Sequence, residues 1–218
     1  MSPRRDRDRR PARPAPTRAP GRSILVVCEG ERTEPEYLRG FIAHVKNPLV
    51  RIKIAKERGE PRKVVEIARQ LRSEAIERAA KEQDDNLAYD EVWCAFDRDQ
   101  HERFDDALAM ARANDLRLAV SNPCVELWLL LHFREQPGAR DRADVARLLK
   151  QHLPSYEKGV RFTDFAMGLA KAEERAARLA ADAAALGDAA HKNPTTGFYL
   201  LTRSIAGPAH ERSRSRAR

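Results

Sequence analysis

Short apolar runs alternate along the chain with longer amphipathic stretches, and the alternation spells out an α/β order. Ser23-Ile24-Leu25-Val26-Val27-Cys28 is a continuous apolar run bounded by Gly21 and Gly30, as in a strand covered on both faces. Thr33-Glu34-Pro35-Glu36 has the form of a capping box, and Tyr37, Leu38, Phe41, Ile42 and Val45 follow it at helical spacing. Val50, Ile52 and Ile54 alternate with Arg51 and Lys53, which predicts a second strand nearer the sheet edge. A helix is expected over Lys63–Lys81, with Val64, Val65, Ile67, Ala68, Leu71, Ala75 and Ile76 as its stripe. The third strand runs through Val92-Trp93-Cys94-Ala95-Phe96 and ends in Asp97-Arg98-Asp99. A short helix over Phe104–Asn114 and a fourth strand over Leu116–Val120 come next. Ser121 or Asn122 would then cap a helix opened by Pro123 and apolar nearly all round. Helices are expected at 144–153 and 164–186, and His191–Gly197 reads as a turn into a last short helix. The pattern predicts a mainly parallel four-stranded sheet flanked by helices, with an α-helical C-terminal part.

Right-handed crossovers place the ends of parallel strands along one edge of a sheet, where ligands bind in open α/β folds. Glu29 follows the first strand, Asp97 and Asp99 end the third, and Glu126 opens the helix after the fourth. Carboxylates gathered there are suited to a hard divalent cation such as Mg²⁺. Taken alone, Asp-x-Asp also opens many solvated turns. Glu34 and Glu36 have a structural task at a helix N-terminus, whereas Glu29 has none and Glu31 no clear one. Glu126 sits amid apolar residues and needs a partner, whether the helix N-terminus, a cation or a metal. His132 lies farther along the same helix and either reaches the site or is a hydrogen-bonded core residue. Lys192 and Asn193 either touch phosphate or serve the turn.

Charge and composition narrow the reading. The formal charge is +8 over 218 residues, but residues 1–22 carry +6 and residues 209–218 carry +3, which leaves 23–208 near −1. The high pI therefore belongs to two basic tails, 1–22 and 209–218. The first, rich in Pro, Ala and Arg, is expected to be disordered, either as a solubilising tail or as a loose phosphate-binding arm. Between them lie an expected core domain, 23–135, and a helical part, 136–208, packed on it. Net charge announces no nucleic-acid groove, so a local patch of Arg32, Lys46, Arg51, Arg58, Arg62 and Lys63 would have to supply one. Cys28, Cys94 and Cys124 are far apart, with no Cys-x-x-Cys pair, and fit buried thiols in a reducing cytoplasm. No stretch nears transmembrane length, no secretory signal is evident, and there is no internal repeat or phosphate-binding Gly-x-x-x-x-Gly-Lys loop.

Three phrases together carry a family likeness. Val26-Val27-Cys28-Glu29-Gly30-Glu31-Arg32-Thr33-Glu34-Pro35-Glu36-Tyr37, Trp93-Cys94-Ala95-Phe96-Asp97-Arg98-Asp99 and Ser121 through Phe133 resemble the RloB-like family, and Asn193-Pro194-Thr195-Thr196 is similar to its C-terminal Asn-Pro-Ser-Thr element. The resemblance covers most of 23–205. It implies a compact, Toprim-like (Rossmann-like) domain from bacterial anti-phage and abortive-infection loci, often encoded beside an AAA/ABC-type ATPase. The wider Toprim class includes topoisomerases, primases and nucleases that use a glutamate after the first strand and Asp-x-Asp after the third. What the resemblance implies is a Mg²⁺- or Mn²⁺-dependent nuclease acting on RNA, transfer RNA or DNA. Glu29, Asp97 and Asp99 would be catalytic, with Glu126 completing the metal site and Glu31 as the alternative glutamate. Arg32, Arg98, His101, Asn122, His132, Lys192 and Asn193 are candidate substrate contacts. Two other readings stand beside this one: a catalytically silent subunit binding nucleic acid or a partner, and a metal-dependent nucleotidyl or glycosyl transferase. Oligomeric state is left open.

Overall fold

The computed structural model describes residues 21–98, 103–136 and 138–215. The tail 1–20, the 99–102 segment with Asp99 and His101, and the end of the second tail lie outside the described residues. Five strands form one sheet in the order β2-β1-β3-β4-β5, with β1 Arg22–Cys28, β2 Val50–Ile54, β3 Glu91–Asp97, β4 Arg117–Asn122 and β5 Thr195–Thr196. The first four are parallel, and β5 runs antiparallel to β4.

The apolar runs of β1 and β3 are continuous because both faces of the sheet are covered. Alternate residues feed two cores. Ile24, Val26, Cys28, Trp93, Ala95 and Ala119 face α1 (Thr33–Val45), α4 (Glu126–Leu131), α5 (Arg142–Lys150), α6 (Leu169–Ala185) and α7 (Phe198–Ser215). Leu25, Val27, Val92, Cys94, Phe96 and Val120 face α2 (Pro61–Glu82) and α3 (Phe104–Ala113). Residues from 145 to 206 share the first core with β1, so the helical C-terminal part closes over the sheet. All three cysteines are buried and free.

Several expectations need correction. The sheet has five strands rather than four: the four expected strands are parallel, and the added β5 is antiparallel. The segment read as a turn at 193–196 gains β-pairing from its neighbour: Ser121 pairs with Thr196 and Asn122 with Thr195, and their Ser121 and Thr196 hydroxyls lie 2.8 Å apart. Gly197 permits this approach, since a Cβ there would lie 3.2 Å from Ala119 Cα and from Val120 N. The capping box does not form: Thr33 is already helical, and no side chain caps α1. Its two members serve the 156–160 loop instead. Thr33 Oγ1 donates to Lys158 O at 2.8 Å, and Glu36 Oε2 accepts from Val160 N at 2.8 Å. Asn122 belongs to β4 and does not cap a helix, and α4 begins only at Glu126. The helix expected at 164–186 begins at Leu169, after two 3₁₀ turns, and α5 starts at Arg142 under an Asp141 cap that accepts Asp144 N–H at 2.7 Å.

Candidate active site

From β1 the chain steps outward to β2 and then crosses to β3 on the other side, so a crevice opens between the carboxyl ends of β1 and β3. Glu29 and Asp97 stand on its two sides. Glu29 N–H donates to Ala95 O at 2.9 Å, which continues the ladder, and Asp97 N–H donates to Glu29 Oε2 at 2.9 Å. One carboxylate is thus oriented by the backbone of the other. Glu34, in the first turn of α1, turns back to accept Gly30 N–H at 3.1 Å. Gly30 leaves room for this turn: a Cβ there would lie 2.2 Å from Glu34 Oε2 and would displace the carboxylate. Glu126 lies fully buried at the start of α4, just past the end of β4.

Two cations come from distant segments. Arg142, first residue of α5, places Nη2 3.3 Å from Asp97 Oδ2. Lys158 bonds Glu126 Oε1 through its ammonium, and Tyr156 Oη donates to the same oxygen at 2.9 Å. Glu29, Glu31, Arg32, Glu34, Asp97, Arg142 and Lys158 line a cleft of about 360 Å³, and the buried Glu126 is joined to it through Lys158.

The crowding of carboxylates is felt electrostatically. Burial, with Glu34, Glu126 and Glu29 nearby, pushes the Asp97 carboxyl well above its usual range, and Arg142 opposes the shift. Burial likewise raises Glu34, with Glu29 and Glu126 adding and the Gly30 N–H opposing. Burial works against the charge of Glu126 too, but the Lys158 hydrogen bond and charge overcome it and hold that carboxyl below its ordinary value. Glu126 Oε2 is buried and has no hydrogen-bond partner among the described residues. Among the described residues no three His, Cys, Asp or Glu side chains are grouped to hold a metal ion as they stand. The donor chemistry nevertheless suits a hard cation: the acids offer oxygen donors, and apart from the nearby Cys124 thiol one buried Glu126 oxygen meets no hydrogen-bond partner among the described residues.

Of the expected site residues, Glu29, Asp97 and Glu126 come together, while Asp99 and His101 lie outside the described residues. Glu31 and Arg32 sit at the rim, paired with Arg58 at 3.2 Å and Glu36 at 3.6 Å. Arg98 does not face the cleft. It donates to the carbonyls of Ala190 and His191 at 3.1 and 3.0 Å and lies over the Phe104 ring. Asn122 also donates to His191 O, at 2.6 Å, so both residues brace the 190–196 segment. Asn193 exchanges two hydrogen bonds with the Arg140 backbone, and Lys192 pairs with Asp188 at 2.6 Å. His132 is a core residue: its Nδ1–H donates to Trp128 O at 2.9 Å, and its Nε2 hydrogen-bonds Tyr37 Oη at 3.0 Å. The supposed basic patch divides: Arg58 stands at the cleft rim, while Arg51 reaches Asn86 in the turn before β3, at the opposite edge of the sheet. Glu34, Arg142, Tyr156 and Lys158 were not singled out by sequence as site residues. The helix-start position masked the first, and the other three are brought in only by tertiary structure.

A sequence model of the RloB-like protein family matches residues 24–205. The chain belongs to the RloB-like family. The RloB-like region runs from β1 into α7 and takes in every described residue of the cleft. A comparison with curated proteins gives no match. Among the described residues no helix is long and apolar enough to cross a membrane.

Proposed function

We propose that this chain is a divalent-metal-dependent nuclease of Toprim-like architecture, acting as an effector in anti-phage defence. The observation that carries the reading is the meeting of Glu29, Glu34 and Asp97 at one cleft, with Glu126 buried beside it and Arg142 and Lys158 as close counter-charges. Three of these carboxylates, Glu34, Asp97 and Glu126, are buried, and buried carboxylates are costly to hold ionised without a cation. Asp97 and Glu126, with Asp99 from outside the described residues, would hold Mg²⁺ or Mn²⁺. Glu29 would complete the set or accept a proton from the attacking water. The ion supplies polarisation of the phosphodiester and a lowered pKa for bound water. Arg142 and Lys158, at the mouth of the same cleft, suit the charge that builds on the phosphate oxygens. The defence role and an ATPase partner rest on the resemblance of the three sequence phrases alone.

A second reading, a silent binding subunit, draws on the two ion pairs, since they already engage Asp97 and Glu126. Cleavage of plasmid, single-stranded DNA and transfer RNA separates the two. With Mg²⁺ or Mn²⁺ but not with EDTA, the wild type is expected to cut, and Asp97→Ala and Glu29→Ala are expected not to. Absence of both cutting and calorimetric metal binding refutes the nuclease and favours the silent subunit.

A further inference from the structure

Lys158 and Glu126 form an unequal pair. The carboxylate is 1 % exposed and the lysine side chain 58 %. The lysine backbone is pinned from both sides, by Thr33 Oγ1 on its own carbonyl and by Glu36 on the N–H of Val160. Gly159, between them, lies against Arg32: a Cβ there would be 2.6 Å from Arg32 Nη2. Lys158 itself adopts a left-handed conformation, with φ 69°. The main chain of 158–160 is therefore held, while the four-carbon stem and ammonium, on a side chain 58 % exposed, have room to turn toward the cleft. Tyr156 Oη stays on Glu126 Oε1 at 2.9 Å and keeps the carboxylate oriented when the ammonium leaves. The other oxygen, Oε2, has no partner among the described residues.

A divalent cation and an ammonium cannot share one carboxylate cheaply, because two like charges a few ångströms apart repel strongly in a partly dry site. We propose that Lys158 is an exchangeable counter-charge: it neutralises Glu126, yields that carboxylate to an incoming divalent cation, and turns its ammonium into the cleft. The inference rests on the metal-dependent reading and adds a competition built into the site. Its consequence is that Lys158 weakens cation binding even as it positions a positive charge toward an anionic substrate.

Calorimetric titration of the full chain with Mn²⁺ at alkaline pH, without substrate, tests this directly. Lys158→Met is expected to bind Mn²⁺ on the order of tenfold more tightly than wild type, as suits the loss of one charge-assisted hydrogen bond from the competitor. Saturating Mn²⁺ should also raise its Tm by more than it raises that of wild type. Lys158→Gln serves the same purpose should the methionine variant fold poorly. Arg32→Met removes a cation from the same cleft that does not touch Glu126, and its affinity should stay near wild type. A lysine with a purely structural role would lower the Tm and leave the Mn²⁺ affinity unchanged, which overturns the inference while the metal site survives. Equal tightening in Arg32→Met also overturns it, since bulk charge would then suffice. Absence of Mn²⁺ binding in wild type and variants alike removes both the inference and the metal-dependent reading.

Discussion

Replacing Asp97 with asparagine should make the protein more stable while abolishing the proposed metal-dependent cleavage. Asp97 is 7 % exposed, and burial, helped by Glu34, Glu126 and Glu29, lifts its pKa well above the ordinary 3.8. A carboxyl whose folded pKa is raised favours the native state below its unfolded value and loses that contribution as pH rises through the folded value. The farther the pH rises, the more of the penalty of an ionised, buried Asp97 the wild type carries. Each unit of such a shift is about 1.4 kcal/mol. Against it stands the ion pair with Arg142, whose side chain is 42 % exposed and whose loss costs at most about 1 kcal/mol. Asp97 N–H keeps its bond to Glu29 in either case. The balance favours Asp97→Asn, and each kcal/mol gained raises Tm by about 2–4 °C in a domain of this size. Thermal unfolding followed by circular dichroism, in EDTA at pH 8 and again at pH 4, reads the effect. The gain should be present at pH 8 and shrink toward pH 4, where the wild-type carboxyl protonates as well. A variant less stable than wild type at pH 8, or a gain that ignores pH, refutes the argument.

Two further changes test other parts of the site and core. Gly30→Ala drives a methyl group into Glu34 and should weaken Mn²⁺ binding several-fold by calorimetry while leaving the far-UV spectrum unchanged. His132 is lowered to about 4, chiefly by burial, from an ordinary 6.5. The stability of its neutral form is present above 6.5 and is lost as pH falls toward the folded value, up to about 3 kcal/mol. Urea unfolding at pH 7 and pH 4.5 should show a smaller loss for His132→Gln than for wild type.

The parts of the fold legible in sequence are those whose pattern is set locally. The strands β1 and β3 stand out because a strand covered on both faces is apolar without interruption, and the residues just after them are then placed at the sheet edge by topology alone. That logic reached Glu29, Asp97 and Glu126. It failed where a residue's task is set by a distant partner. Thr33 and Glu36 have the spacing of a capping box, yet the 156–160 loop takes both. The two residues of β5 have too little sequence to show a period, and only the free edge of β4 makes them a strand. Arg98 and Asn122 looked like substrate contacts because they adjoin site residues in sequence, but both point at the His191 carbonyl. Arg142 and Lys158 stand 45 and 32 residues from the carboxylates they meet, beyond the reach of any local pattern.

That dispersal sets a schedule for synthesis. Glu29 and Glu34 leave the ribosome early, whereas Lys158 follows on the order of ten seconds later at ordinary elongation rates. The core beneath the cleft closes later still, since Phe198, Leu201 and Ile205 of α7 pack into it. Until then the acids of β1 and β3 lack their counter-charges and their floor. A nascent chain thus carries the acids of the cleft without the cleft, which takes shape only when the C-terminal helices have docked.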